Sequence, residues 1–199
     1  MTIGVLALQG AFIEHIKVLT ELGAECREIR QLSDWSDNLE GLVIPGGEST
    51  VIGKLLSELK LLSPLRQTIL NGLPTFGTCA GLILLAKQLA DQEPIGLKCM
   101  DIRACRNAYG RQLGSFATTA DFDGLGTIPM VFIRAPYIES VKDNVKVLSI
   151  IDQRIVAARQ NNMLVTAFHP ELTDDHVVHQ YFLSMIAEVR DKKPLVAAA

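Results

Sequence analysis

The stretch PTFGTCAGLILLAK, residues 74–87, places Cys79 between Gly77 and Gly81, after a short apolar run and before a segment of helical pattern. This G-x-C-x-G spacing matches the strand-to-helix elbow that presents a nucleophile at a tight bend. Glycines suit such a bend because neighbouring backbone passes close by. A thiol at a helix N-terminus also lies at the positive end of the helix dipole, which favours the nucleophilic thiolate. The pattern predicts a reactive cysteine; a small buried apolar residue is the alternative.

His169 is the candidate base for this thiol. It follows the apolar run NMLVTAF and precedes Pro170 and Glu171. The proline disfavours helix at the preceding residue, so His-Pro-Glu should begin in an extended conformation. Residues two apart in an extended segment point the same way, which allows Glu171 to orient the imidazole while the other ring nitrogen faces the thiol. An exposed turn after a strand is the alternative interpretation.

A third candidate is the segment IPGGEST, residues 44–50, which again lies where a strand gives way to a helix. Acyl transfer through a thiol passes through a tetrahedral oxyanion, and backbone N–H groups must stabilise it. Gly46 and Gly47 can bring their amides close to a ligand because they carry no side chain. A tight turn with Ser49 as a helix N-cap is compatible with this role.

The remaining cysteines and histidines carry weaker signals. Three cysteines lack flanking glycines and are interpreted as free thiols in apolar positions: Cys26, Cys99 and Cys105. His15 lies in an amphipathic helical pattern, and His176 and His179 are expected on a solvated face of the last helix. No carboxylate or cysteine completes a ligand set with these two histidines, so we predict neither a metal site nor a cofactor.

Short apolar runs alternate with helical patterns in the first half of the chain. Strands are predicted at residues 2–8, 24–30, 39–47 (running into a proline-glycine turn) and 73–78. Helices are predicted at residues 11–22, at 49–62 and from near Cys79 onward. This alternation implies parallel strands joined by right-handed crossovers. Ligands of such open sheets bind at the carboxyl ends of the strands, where Cys79 is expected to lie.

The second half contains mostly strand patterns. They cover residues 115–122, 129–141, 145–150, 154–160 and 162–168, and RQNNM predicts a hairpin between the last two. A helix is predicted at residues 174–189, with Thr173 or Asp174 as its N-cap. The predicted fold is therefore an α/β protein with a flavodoxin-like open, mostly parallel sheet flanked by helices, and additional antiparallel strands in the second half.

Composition narrows the class of protein. The 199 residues carry a formal charge of -3 and are 48% hydrophobic, as in a globular protein. So weak a charge gives no general attraction to nucleic acid or an anionic membrane, which favours small-molecule or protein partners. We find no apolar run of transmembrane length and no signal-peptide pattern. We expect a cytoplasmic protein in which residues 1–191 form one domain and residues 192–199 a flexible tail.

The motifs together resemble a known family. PGGEST, GTCAGL and FHPE, in this order at the ends of three predicted strands, resemble a class I, triad-type glutamine amidotransferase domain. GVLALQGAFIEH, PGGEST and RNAYGRQLGSF are similar to the glutaminase subunits of pyridoxal 5'-phosphate synthases, over nearly the whole chain. Their joint occurrence is far more specific than any single motif.

The resemblance implies a role for each matching residue. Cys79 is the nucleophile, His169 the acid and base, and Glu171 the orienting carboxylate. Further residues hold glutamine: Gly46, Gly47, Glu48, Ser49, Arg106, Ile133 and Arg134. Such a set suits a zwitterion, which needs a cation near its carboxylate and an anion or carbonyl near its ammonium group. Gln9 is implied to lie near a partner interface and to couple partner binding to activity.

The implied reaction is hydrolysis of L-glutamine to glutamate and ammonia through a thioester of Cys79. Ammonia released into water at neutral pH is protonated and loses its nucleophilicity, so the reaction is useful only beside an acceptor enzyme. The resemblance implies a separate synthase subunit, in a hetero-oligomeric complex, that combines the ammonia with a pentose phosphate and a triose phosphate to build pyridoxal 5'-phosphate (vitamin B6).

Three alternatives remain at this point. A glutaminase subunit for another acceptor, such as imidazole glycerol phosphate synthase, would keep the triad but lack PGGEST together with RNAYGRQ. A flavodoxin-like cysteine peptidase or stress protein would use the same elbow, and glutamine turnover without peptide cleavage would exclude it. A non-catalytic binding module with a decayed site is disfavoured because Cys79, His169 and Glu171 are all intact.

Overall fold

A computed structural model of the chain describes residues 1–91, 93, 96–106 and 114–192. Our expectations for residues 107–113, which belong to the RNAYGRQLGSF motif, and for residues 193–199 of the tail lie outside the described residues. No helix within these described ranges is long and apolar enough to cross a membrane.

The described residues form twelve strands and five α-helices. The strands are β1 (Thr2–Leu6), β2 (Glu25–Ile29), β3 (Gly41–Ile44), β4 (Thr75–Thr78), β5 (Ala86–Leu89), β6 (Met100–Cys105), β7 (Ser115–Phe122), β8 (Gly126–Ile133), β9 (Tyr137–Val141), β10 (Lys146–Ile151), β11 (Arg154–Gln160) and β12 (Met163–Thr166). The helices are α1 (Phe12–Glu21), α2 (Ser49–Glu58), α3 (Leu62–Leu70), α4 (Ala80–Leu85) and α5 (Val177–Lys192).

Ten of these strands share one sheet in the order β2-β1-β3-β4-β12-β11-β9-β6-β5, with β10 paired to β11. The first five of this order pair in parallel, while β11 is antiparallel to β12, β9 and β10. Strands β7 and β8 form a separate antiparallel pair. The prediction of a mostly parallel sheet with antiparallel strands in the second half is confirmed.

The central strands β3, β4 and β12 are buried along their whole length. Helices cover both faces of a parallel sheet, so its central strands read as continuous apolar runs rather than as alternating patterns. Phe76 on β4 and Phe182 on α5 are fully buried, with ring centroids 5.6 Å apart. Because β3, β4 and β12 pair in parallel, their carboxyl ends lie beside one another.

The helix predicted over residues 49–62 is confirmed over Ser49–Glu58 as α2, but it ends there, and a second helix, α3, begins at Leu62. Lys60 takes a left-handed conformation (φ 57°) that ends α2. The N–H of Lys60 donates to the Ser57 carbonyl and that of Leu61 to the Leu56 carbonyl, as in a Schellman end. Helix α3 then begins at Leu62, with a proline in its first turn, where no intrahelical N–H is needed.

Three further predicted boundaries differ from the structure. The predicted strand at residues 129–141 is two strands, because Arg134 (φ 42°) and Pro136 interrupt it. The helix after Cys79 has only six residues before the chain enters β5. Neither Thr173 nor Asp174 caps the last helix: α5 begins at Val177, whose N–H donates to Asp175 Oδ1 at 2.9 Å. The hairpin between β11 and β12 is confirmed, with Gln160 opposite Met163.

Candidate active site

Cys79 occupies a strained bend between β4 and α4. Its backbone has φ 48° and ψ -97°, which a non-glycine residue rarely adopts. Its N–H donates to the Thr166 carbonyl of β12 at 2.8 Å, which holds the bend against the sheet. A Cβ on Gly77 would lie 2.8 Å from the Gly81 carbonyl carbon, and one on Gly81 would collide with the Ile44 carbonyl. Both flanking glycines are therefore required by close backbone packing.

His169 and Glu171 stand at the end of β12, beside Cys79. The Nδ1 of His169 lies 2.7 Å from Oε1 of Glu171, and both side chains are almost completely buried. The His169 N–H donates to the Val131 carbonyl of β8 at 2.8 Å, which fixes the backbone of this segment. Pro170 begins a short 3₁₀ turn, and His169 before it has non-helical dihedrals (φ -107°, ψ 87°).

The electrostatic environment of His169 favours its protonated form. Burial lowers the pKa of His169, but hydrogen bonds with the Cys79 sulfur and with Glu171 outweigh this effect and raise the pKa to about 10. Burial opposes ionisation of Glu171, yet the neighbouring His15 and the hydrogen bond with His169 hold the pKa of this carboxyl below its usual range. The geometry thus supports an imidazolium between a sulfur and a carboxylate, and an adjacent imidazolium stabilises a thiolate.

The PGGEST segment lies directly against these residues. A Cβ on Gly46 would collide with the His169 ring and lie 3.4 Å from the Cys79 Cβ. The Gly46 carbonyl accepts a hydrogen bond from the Ala11 N–H at 3.1 Å, so the loop after β1 holds this carbonyl. Glu48, not Ser49, is the N-cap of α2, since its carboxylate accepts from Thr50 N–H at 3.3 Å.

The structure places all of the predicted binding residues around one cleft of ≈ 350 Å³. Cys79 and His169 form part of its wall, and Glu171 lies behind His169. The predicted residues on the cleft wall are Gln9, Gly46, Gly47, Glu48, Ser49, Arg106, Ile133 and Arg134. The Arg106 guanidinium lies 3.7 Å from the Glu48 carboxylate, which brings both charge signs to the cleft. Their roles toward a substrate remain predictions.

Gln9 contacts the glycine pair directly. Its side-chain Oε1 accepts a hydrogen bond from the Glu48 N–H at 2.6 Å, and a Cβ on Gly47 would lie 2.5 Å from the same oxygen. The adjacent Gly10 (φ 97°) packs so closely that an added Cβ would collide with the Gly46 carbonyl. The loop after β1 therefore forms one wall of the cleft and restrains the segment that carries the candidate oxyanion donors.

Sequence reasoning missed two histidines behind this site. His15 and His179 are fully buried, so the expectation that His179 lies on a solvated face is wrong. Helical spacing contained the signal: His179 shares a face with Phe182 and Ile186, which are also buried. His176 is partly exposed, with its ring 3.9 Å from Glu21.

Known proteins resemble this chain over nearly its whole length. A family model described as the SNO glutamine amidotransferase family matches residues 5–188. The pyridoxal 5'-phosphate synthase subunit PdxT of Streptococcus pneumoniae strain CGSP14 is 58% identical over 193 residues, covering 96% of this chain and 100% of the relative.

Solved structures show the same architecture. A crystal structure described as a glutamine amidotransferase has a TM-score of 0.88 at 42% identity, and the match covers 93% of this chain and 98% of that one. A second crystal structure, of a glutamine amidotransferase from Thermotoga maritima, has a TM-score of 0.62 at 13% identity, covering 97% of this chain and 85% of that one. At that identity the likeness concerns the fold alone.

Proposed function

The chain belongs to the SNO glutamine amidotransferase family, and on that premise we propose that Cys79, His169 and Glu171 carry its glutaminase reaction. The protein hydrolyses glutamine and supplies the ammonia to a pyridoxal 5'-phosphate synthase for vitamin B6 biosynthesis. The observation that carries the residue assignment is the strained Cys79 elbow, which lies on one cleft with a histidine held by a buried carboxylate.

In the first half of the reaction, the Cys79 thiolate attacks the side-chain amide carbon of glutamine. The C=O electrons move onto oxygen, and backbone N–H groups of the Gly46–Gly47 segment are the candidate donors to this oxyanion. As the oxyanion collapses, the C–N bond breaks and His169 gives its proton to the leaving nitrogen. The products of this half are ammonia and a γ-glutamyl thioester of Cys79.

In the second half, the neutral His169 removes a proton from water, and the resulting hydroxide attacks the thioester carbon. The C–S bond then breaks, the thiolate of Cys79 returns, and glutamate leaves with the second oxygen atom. The proton taken from water restores the imidazolium of His169, and the new γ-carboxylic acid of glutamate loses its own proton to solvent. Glu171 keeps the imidazole oriented with Nδ1 toward itself throughout, so the other ring nitrogen serves the sulfur and the water.

Substrate recognition is assigned to the charged pair on the cleft wall. Besides its side-chain amide, glutamine carries a carboxylate and an ammonium group. The Arg106 guanidinium can pair with the carboxylate, and the Glu48 carboxylate can pair with the ammonium group. Arg106 follows β6 and Glu48 precedes α2, so two separate elements bring the opposite charges to the cleft. The backbone at Ile133 and Arg134, where β8 ends, forms a further part of the wall.

The test is thiol trapping combined with glutaminase activity. In the complex with the synthase subunit, Cys79→Ala should abolish ammonia release, and a glutamine analogue that traps thiols should label Cys79 in the wild type. Burial raises the pKa of Cys99 to about 11 and also raises the pKa of Cys26, so these thiols should stay unlabelled. Cys99→Ala is the matched control and should retain activity.

Label on Cys99 or Cys105, or ammonia release by the Cys79→Ala complex, would contradict the assignment. Activation by an imidazole glycerol phosphate synthase in place of the pyridoxal 5'-phosphate synthase would contradict the acceptor.

A further inference from the structure

Behind the His169–Glu171 pair lies a buried row of polar side chains that the reaction as written does not use. His15 on α1 and His179 on α5 are both fully buried. The Nε2 of His15 lies 3.4 Å from Glu171 Oε2 and 3.1 Å from Thr78 Oγ1. The Nδ1 of His15 lies 3.0 Å from His179 Nε2. Glu171, His15 and His179 are called the histidine row below.

We propose that His15 is a positioning residue of the glutaminase reaction, which holds the Glu171 carboxylate so that its Oε1 faces His169, while His179 sets the tautomer of His15. The proposal rests on the proposed triad. Oε1 of Glu171 is engaged by His169 at 2.7 Å, but Oε2 is buried and has no hydrogen bond among the described residues. A carboxylate anchored at one oxygen can rotate, and a second contact at Oε2 restricts that rotation.

The hydrogen-bond inventory assigns the proton positions in the row. An ionised carboxylate accepts only, so a proton on His15 Nε2 turns its contact with Glu171 from lone-pair repulsion into attraction. Neutral His15 then accepts at Nδ1, and His179 must donate from Nε2. This leaves His179 Nδ1 as an unprotonated nitrogen, and Nδ1 is the buried atom of His179 for which no partner is found in the described part of the chain.

The opposite assignment is worse at the Glu171 end of the row. If His15 donated from Nδ1, its Nε2 lone pair would face the Glu171 carboxylate, and His179 would bury an N–H donor without an acceptor. Nδ1 of His179 lacks a partner in either assignment, so the contact between His15 Nε2 and the Glu171 carboxylate decides between them. The favoured assignment has His179 Nε2 donating to His15 Nδ1, while the N–H at His15 Nε2 faces Thr78 Oγ1 at 3.1 Å and Glu171 Oε2 at 3.4 Å.

The histidine row offers the N–H at His15 Nε2 to Glu171 without adding a second positive charge beside it. Burial lowers the pKa of His15, although Glu171 and Glu14 raise it and His169 lowers it further. Burial also holds the pKa of His179 well below its usual value, and the neighbouring His15 and His176 act in the same direction. These lowered pKa values favour neutral rings at neutral pH, so His169 remains the charged partner of Glu171.

Two substitutions of His15 separate the donor from the side-chain volume. The amide nitrogen of His15→Gln reaches the position of ring Nε2, whereas the shorter amide of His15→Asn reaches only that of Nδ1. In metal sites, mutating a residue that orients a metal ligand typically lowers activity by about 10- to 100-fold. His15 is in a comparable position, because it orients the carboxylate that orients His169. In the complex with the synthase subunit, we expect kcat of His15→Asn to fall by this factor, and His15→Gln to recover most of it.

Two further readouts distinguish positioning from a loss of structure. KM for glutamine should stay within about twofold of wild type, because His15 does not line the cleft and uniform binding is untouched. The alkaline limb of kcat/KM of His15→Asn should move to lower pH, because a loosely held Glu171 raises the pKa of His169 less. His176→Gln, which changes a histidine outside the row, should match wild type in all three measurements.

Equal kcat values of folded His15→Asn and His15→Gln would overturn the proposal. If circular dichroism shows His15→Asn to be unfolded, His179→Phe decides, since it removes the donor to His15 but keeps a ring beside Phe76. A kcat reduced with unchanged KM then supports the proposal, and an unchanged kcat overturns it. Failure of the triad itself would show separately, as activity in the Cys79→Ala complex.

Discussion

At the scale of single residues, the proposed mechanism uses one proton on His169 to link the two halves of the reaction. Hydrogen bonds with the Cys79 sulfur and with Glu171 stabilise the imidazolium and raise the pKa of His169 to about 10 against the effect of burial. Such a site starts each turnover with the acid that the departing ammonia needs. The proton is lost only when pH rises through this raised pKa, so the acid step should survive well above neutral pH.

The triad residues should therefore differ in what their loss does. His169→Ala removes proton transfer outright, whereas Glu171→Gln leaves a base that is poorly oriented, so the glutamate variant should keep more kcat. In wild type the alkaline limb of kcat/KM should lie near pH 10. In Glu171→Gln it should move to lower pH, because an amide raises the pKa of His169 less than a carboxylate does. A pH–rate profile of the complexes measures both effects.

Circular dichroism of each variant serves as the control for folding. Complete and equal loss of kcat in the two folded variants would count against a merely orienting role of Glu171, and an unmoved alkaline limb in Glu171→Gln would count against its influence on His169.

At the scale of elements, the loop after β1 determines where the candidate oxyanion donors lie. Ala11 N–H holds the Gly46 carbonyl, and Gln9 holds the Glu48 N–H. Gly10 is the closest point of this contact, because an added Cβ would collide with Gly46. The position of the glycine pair is thus set by a different element of the chain.

Gly10→Ala tests this dependence. The new Cβ should displace the Gly46–Gly47 segment, and loss of one oxyanion donor typically lowers kcat by about 10²- to 10³-fold. Gly72→Ala is the matched control, since Gly72 has a similar left-handed φ of 103° but open space around its added Cβ. Gly72→Ala should lose about 1–2 kcal/mol of stability from left-handed strain, and Gly10→Ala should lose more because its Cβ also collides with backbone; denaturant unfolding measures both. Only Gly10→Ala should lose kcat, and equal kcat values in the two variants would refute the argument.

The elements that could be predicted from the sequence are those that local steric constraints determine. The Gly77-x-Cys79-x-Gly81 elbow was predictable because backbone collisions require both glycines, and the collisions are present. The break between α2 and α3 could not be predicted. Lys60 ends α2 with a left-handed φ of 57°, and lysine is not a residue type that signals such a conformation. The burial of His179 was available from helical spacing, whereas the approach of His15 to Glu171 depends on how α1 packs beside the 3₁₀ turn.

At the scale of the whole molecule, the product itself requires a partner. Ammonia at neutral pH is protonated in water and loses its nucleophilicity. The ammonia is therefore useful only if it reaches the acceptor enzyme before it enters bulk water. Gln9 stands on the wall of the cleft and at the same time holds the segment of the glycine pair. A partner that contacts this loop could therefore alter the oxyanion donors without touching the triad.

We expect the isolated chain to be nearly inactive as a glutaminase, and the synthase partner to activate it by ordering the Gly46–Gly47 segment. Glycines can change their peptide orientation at low cost, and one recovered oxyanion donor corresponds to about 10²- to 10³-fold in rate. Steady-state ammonia release by the purified chain, alone and with saturating synthase, measures the activation. Gln9→Ala should leave the isolated activity low and reduce the activation, whereas Gln67→Ala, a change of a surface glutamine bonded to Asn71, should not. If the isolated chain already turns over at the rate of the complex, the segment is not a switch, although the assignment of Cys79, His169 and Glu171 would stand.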